Sequence, residues 1–67
     1  MPVVRVSWFD GKSHDMKAKV AAEITESIVR NTDTDAKYVY VIFDDVAPND
    51  WAGGGKLFGQ PAVKDQA

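Results

Sequence analysis

The sequence predicts an α/β fold: a single βαβ unit with a parallel two-stranded sheet and a short C-terminal hairpin, oligomerising through the sheet. Three observations predict it. An alternating apolar strand runs from Pro2 to Phe9, a segment with an apolar residue at every fourth position follows, and a second run is rich in β-branched and aromatic residues. Strand–helix–strand order makes the two strands parallel and the crossover right-handed. One helix covers only one face of a two-stranded sheet, so the other face is expected to need a second copy of the chain.

In the first strand, Pro2, Val4, Val6 and Trp8 point one way and Val3, Arg5, Ser7 and Phe9 the other. Asp10-Gly11 marks a turn. Ser13 is placed to cap a helix, with Asp15 in the first turn, where the helix dipole favours negative charge. From His14 to about Asn31 the apolar stripe is Met16, Val20, Ile24 and Ile28, widened by Ala21 and Val29, and Lys17, Lys19, Glu23, Glu26 and Arg30 are expected in water. Asn31 to Asp35 supplies turn-forming side chains that end the helix.

The second strand is expected from Lys37 to about Asp45, with Val39, Val41 and Phe43 on one face and Tyr38, Tyr40 and Ile42 on the other. The uncovered face of the sheet is then expected to carry Val4, Val6 and Trp8, or Tyr38, Tyr40 and Ile42. Ala47-Pro48-Asn49-Asp50 breaks the strand, and Trp51 to Leu57, with Gly53-Gly54-Gly55 at its middle, reads as a short hairpin. Gly59-Gln60-Pro61 opens a tail with little to bury, so the reading is one domain at 2–58 and a mobile tail at 59–67.

A chain of 67 residues makes one small domain, and such a domain buries only about 60% of its unfolded surface. Without cysteine, and with one histidine, it has neither disulfides nor the ligands of a metal scaffold, which leaves oligomerisation as the staple. A formal charge of −2 and no Lys/Arg cluster give no electrostatic footprint for nucleic acid. No apolar run approaches the roughly 20 residues of a membrane span, and no signal-peptide pattern opens the chain. A cytoplasmic protein is expected.

Pro2 holds the sharpest chemical clue. If Met1 is removed, its nitrogen becomes a secondary amine fixed at the start of a strand and able to move protons; the alternative is an ordinary strand-opening proline, tolerated because its missing N–H costs nothing there. Free α-amino groups titrate at about 7.7–8.0. Desolvation in an apolar pocket lowers that value, bringing the neutral base to physiological pH. His14 reads as a surface residue of the first helical turn, and Asp44-Asp45 as a solvated strand end. Gly53-Gly54-Gly55 lacks the Lys-Ser/Thr of a phosphate loop.

Pro2 after methionine, the strand Val3 to Trp8, Gly11-Lys12-Ser13 leading into a helix, Tyr38-Val39-Tyr40-Val41-Ile42 and Trp51-Ala52-Gly53-Gly54 together resemble the 4-oxalocrotonate tautomerase family, over residues 2 to about 57. The resemblance implies a homo-oligomer, most often a hexamer built as a trimer of dimers, whose active sites gather residues from neighbouring subunits. It implies Pro2 as the catalytic general base, a small-molecule carboxylate substrate, and no metal or organic cofactor. The family's two substrate-binding arginines fall here on Lys12 and Tyr40. Lysine keeps the charge without the bidentate fork, and tyrosine offers one hydroxyl donor. The family's apolar ring falls on Trp51, and Trp8, Tyr40 and Trp51 are the expected pocket walls. Arg5, on the strand face opposite Pro2, is a weaker candidate for carboxylate binding from a neighbouring chain. The position of the hairpin carboxylate used by water-adding relatives falls near Gly53, which has no side chain. The implied activity is keto–enol isomerisation of 2-hydroxy-dienoates or 2-keto acids, in the setting of aromatic degradation. A second reading, motivated by the replaced arginines and the bulk of Trp51, is a non-catalytic assembly subunit of the same fold.

Overall fold

The computed structural model describes residues 1–59. It contains β1 (Val3–Phe9), α1 (His14–Thr32), β2 (Tyr40–Val46), β3 (Ala52–Gly53) and β4 (Lys56–Leu57), with single 3₁₀ turns at Ala36–Tyr38 and Pro48–Asp50. β1 and β2 pair in parallel from Val3 opposite Tyr40 to Phe9 opposite Val46. The ladder extends one residue each way, since Tyr40 N–H donates to the Pro2 carbonyl at 3.0 Å and Asp10 N–H to the Val46 carbonyl at 3.0 Å. β3 and β4 form the antiparallel hairpin.

α1 begins where the sequence places it. The Ser13 side chain accepts from the Met16 N–H, and Asp15 lies in the first turn. The helix runs one residue past the expected end and closes on Asp33, which donates its N–H to the Val29 carbonyl and whose left-handed φ of 58° turns the chain out of the helix. Its half-buried stripe is Val20, Ala21, Ile24, Ile28 and Val29. Met16 departs from it, 58% exposed, and Lys17 takes the inward place in that turn. A perfect four-residue repeat drifts around a helix of 3.6 residues per turn, so the stripe cannot follow it over the whole length.

The second strand starts later than expected. Asp35 caps the 3₁₀ turn at Ala36–Tyr38 by accepting from the Lys37 N–H, and Tyr38 therefore stands outside the sheet, 49% exposed. The Asp35 side chain offers the backbone a local alternative to pairing, which overrides the β-propensity of the following residues. Register and burial settle the two faces of the sheet. Val4, Val6 and Trp8 share one with Val41, Phe43 and Asp45, on the side of α1, which packs against β2. Val3, Arg5 and Ser7 share the open face with Tyr40, Ile42 and Asp44. The expectation of Val4, Val6 and Trp8 on the uncovered face is thus replaced by Val3, Arg5 and Ser7; of the tyrosine face, Tyr40 and Ile42 stay exposed and Tyr38 drops out.

The hairpin turns at Gly54 and Gly55, whose φ values of 60° and 83° suit the two central positions of a tight β-hairpin turn. Its base is closed by Phe58 N–H to the Trp51 carbonyl at 2.9 Å and Gly59 N–H to the Pro48 carbonyl at 3.0 Å. The expected tail from residue 60 onward lies outside the described residues. Among those described, none is fully buried, hydrophobic or polar. No described helix is long and apolar enough to cross a membrane.

Candidate functional site

The residues singled out by sequence lie at the two ends of the parallel sheet. Pro2 is half-buried at the N-terminal end, fixed by the Tyr40 N–H on its carbonyl. Extending the strand alternation puts its ring on the helix side with Val4, whereas the Tyr40 ring stands on the open face, 51% exposed. One chain therefore joins Pro2 and Tyr40 through backbone and keeps their side chains on opposite faces.

Trp8, Lys12 and Trp51 lie at the other end, Lys12 against Trp8 and Trp51 against Phe9, which alternates to the opposite face of the strand. Trp8 stacks on Phe43, ring centroids 5.0 Å apart and planes 8° from parallel. The Lys12 ammonium sits 4.8 Å from the Trp8 ring centroid and donates to the Phe9 carbonyl at 2.9 Å. One of its hydrogens is thus used by the backbone and its charge rests against a π face. The hairpin approaches through aromatic contacts of Phe9, with Trp51 at 4.7 Å and Phe58 at 5.6 Å. Five residues of β1 lie between Pro2 and Trp8, and the six steps that join them, at about 3.3 Å each, span on the order of 20 Å. Lys12 and the tryptophans of one chain cannot share a small substrate with that chain's own Pro2.

Asp44 and Asp45, expected to be solvated, are both engaged. On the open face Arg5 Nη1 meets the two Asp44 carboxylate oxygens at 3.0 and 3.3 Å, and Ser7 Oγ donates to the same carboxylate at 3.1 Å. On the helix side Asp45 accepts from the Trp8 indole Nε1 at 2.8 Å and from the Lys17 ammonium. The hydrogen bond from Lys17, then that from Trp8, holds the Asp45 carboxyl below its ordinary range, and the nearby Lys12 charge acts in the same direction. Sequence reading put both Asp45 and Lys17 in water, whereas the packed chain pairs them, with Lys17 half-buried. The period of two that aligns Asp45 with Phe43 and Val41 was the signal for the first; nothing in an isolated helix stripe marks an inward lysine.

A shallow groove of about 550 Å³ lies elsewhere, between α1 and the Ala36 turn, lined by Ala21, Ala22, Thr25, Glu26, Val29 and Ala36. Its one ionisable group, Glu26, pairs with Arg30 at 3.4 Å. None of the candidate residues borders it.

The comparisons with known proteins agree with this architecture. A family model described as "Tautomerase enzyme" matches residues 2–60. A protein of Ralstonia nicotianae named "Probable tautomerase" is 63% identical over 60 residues, covering 90% of this chain and 92% of its own. A solved 4-oxalocrotonate tautomerase homologue superposes with a TM-score of 0.81 at 31% identity, covering 87% of this chain and 92% of that one. A heterohexamer 4-oxalocrotonate tautomerase from Chloroflexus aurantiacus gives 0.78 at 26% identity, covering 87% and 94%.

Proposed function

Because the chain belongs to the tautomerase family, we propose that it is a cofactor-independent keto–enol isomerase in which Pro2, freed of Met1, is general base and then general acid. The neutral amine takes the enol hydroxyl proton of a 2-hydroxy-dienoate or of the enol of a 2-keto acid. The electron pair forms the carbonyl, and the prolinium returns the proton to carbon along the conjugated system, with no change of oxidation state. Lys12 anchors the substrate carboxylate, Tyr40 donates its hydroxyl to the developing carbonyl oxygen, and Trp8 and Trp51 wall off water.

The observation that carries the reading is the position of Pro2: half-buried at the head of a parallel ladder, its carbonyl pinned by Tyr40. A rigid, partly desolvated amine is a base of lowered pKa. The span of β1 separates Pro2 from Lys12, Trp8 and Trp51, and the sheet itself separates Pro2 from the Tyr40 side chain, so the working site takes all four from neighbouring chains. A homo-oligomer follows, a hexamer on the family's pattern, and the absence of a buried residue among those described favours it.

Ketonisation of phenylenolpyruvate and of 2-hydroxymuconate by wild type and Pro2→Ala is the test. The variant exchanges the fixed secondary amine for a freer primary one, which should lower kcat toward the scale of a general base, about 10²-fold; equal rates would show that the proline ring nitrogen is not required. Lys12→Ala should raise KM chiefly, and an unchanged KM would refute the anchor. A second reading, the non-catalytic assembly subunit, draws on Lys12 being already tied to the Phe9 carbonyl where the family carries an arginine. Mass spectrometry of the mature chain separates the two, since a retained Met1 acylates the proline nitrogen and forbids amine catalysis.

A further inference from the structure

We propose that Asp45 is a positioning residue for carboxylate capture: it fixes the Trp8 indole by Nε1, and so fixes the π face on which the Lys12 ammonium rests. The inference deepens the reading above and rests on its assignment of Lys12 as the anchor.

Trp8 is held on two sides. Phe43 stacks on it at 5.0 Å, which sets the plane but allows the ring to slide within it. The 2.8 Å bond from Nε1 to Asp45 Oδ1 removes that freedom. Lys12 then sits over a ring of fixed position, 4.8 Å from its centroid, with one N–H on the Phe9 carbonyl and no other hydrogen-bond partner among the described residues. A lysine is ordinarily a flexible point charge and a poor substitute for a forked guanidinium. Backbone carbonyl and indole face together give this one a direction. A carboxylate holding the indole would, by itself, repel the same anion that Lys12 is to receive. Lys17, inward on α1 with its side chain 29% exposed, pairs with Asp45. The cluster of Lys12, Asp45 and Lys17 keeps a net positive charge at its Lys12 end.

Two consequences separate positioning from charge. Asp45→Asn retains an oxygen acceptor for the indole and loses the negative charge, so carboxylate affinity is kept or improved. Asp45→Leu loses the acceptor, and affinity falls. Lys17→Met leaves Asp45 uncompensated, and affinity falls while the indole bond stays.

The experiment titrates the full-length, assembled protein with benzoate, an unreactive carboxylate, and follows the Trp8 indole N–H resonance and benzoate Kd by NMR, with oligomeric state checked by sedimentation. Asp45→Leu should shift the indole N–H upfield and weaken benzoate about tenfold, the scale of one charge-assisted hydrogen bond. On a Lys12→Ala background the same change should add nothing. Should Asp45→Leu not assemble, Trp8→Phe, which keeps the stack and removes the N–H, should weaken benzoate to a similar extent. Full affinity in the assembled Leu or Phe variant, or equal losses with Asn and Leu, would overturn the proposal. Phenylenolpyruvate ketonisation is measured beside it. Lys12- and Asp45-dependent benzoate binding by an inactive wild type sinks the isomerase reading and upholds positioning; an active enzyme whose benzoate affinity ignores Asp45→Leu does the reverse.

Discussion

At the scale of single residues, Asp45 makes stability depend on pH in a definite direction. Lys17 and Trp8 donate to its carboxylate and, with the nearby Lys12 charge, hold its folded pKa below the ordinary value, about 3.9 for a free aspartate. Between the two values the unfolded chain binds the proton and the folded one does not. The contribution of Asp45 is therefore fully present above about pH 4 and lost as pH falls through the folded value. Thermal melts from about pH 6 down to about pH 2 should show a steeper acid limb for wild type than for Asp45→Asn, and superimposable limbs would refute the assignment. Much at this scale was legible in the residues. Pro2 at the head of a strand, Ser13 as a cap and the alternation that sets Arg5 opposite Pro2 are all local consequences of side-chain chemistry. For Asp45 the alternation gives the face but not the partners, which come from β1 and α1, and only the packed register brings Trp8, Lys17 and Asp45 to one point.

At the scale of elements, boundaries followed local hydrogen bonds over propensity. Tyr38 has a strand former's side chain, yet the Asp35 cap and the N–H groups it captures delay β2 to Tyr40. The helix was readable end to end because Ser13 and the turn residues after Asn31 act within one turn of themselves. Ser13→Ala should cost about 1 kcal/mol of stability, seen as a lowered Tm with kcat and KM unmoved; a change of less than a few tenths would mean that the cap adds little. The hairpin offers a sharper test. A Cβ on Gly59 would stand 2.6 Å from the Asn49 nitrogen and 2.8 Å from the Pro48 carbonyl carbon, both backbone atoms. Gly59→Ala must therefore part the hairpin base from the Pro48 turn, at a cost of roughly 1–3 kcal/mol. Trp51 follows that turn directly, so its fluorescence should report the displacement, and an unaltered emission would show that the base absorbs the methyl group.

At the scale of the whole molecule, the described chain leaves one face of its sheet uncovered. Its open sheet face exposes Val3 at 55%, Tyr40 at 51% and Ile42 at 38%, around the Arg5–Asp44 pair. In a lone chain that pair, with Arg5 59% exposed, would add at most about 1 kcal/mol. Covered by a second copy it would be desolvated, and loss of one partner would leave a charge stranded in the interface. One helix for two sheet faces made an uncovered face legible in the sequence, but which residues the open face carries depended on how β1 and β2 turn against α1. Ile42→Asp places a new carboxylate on this face beside Arg5, its register partner, at the centre of the apolar patch. If assembly stabilises the fold, wild-type Tm should rise with protein concentration, as mass action requires. Ile42→Asp should sediment as smaller species, melt lower, and lose ketonisation together with assembly, because Pro2 would no longer meet a neighbour's Lys12. A variant that stays monomeric at every concentration and still turns over phenylenolpyruvate would show that one chain completes the site alone, against the length of β1.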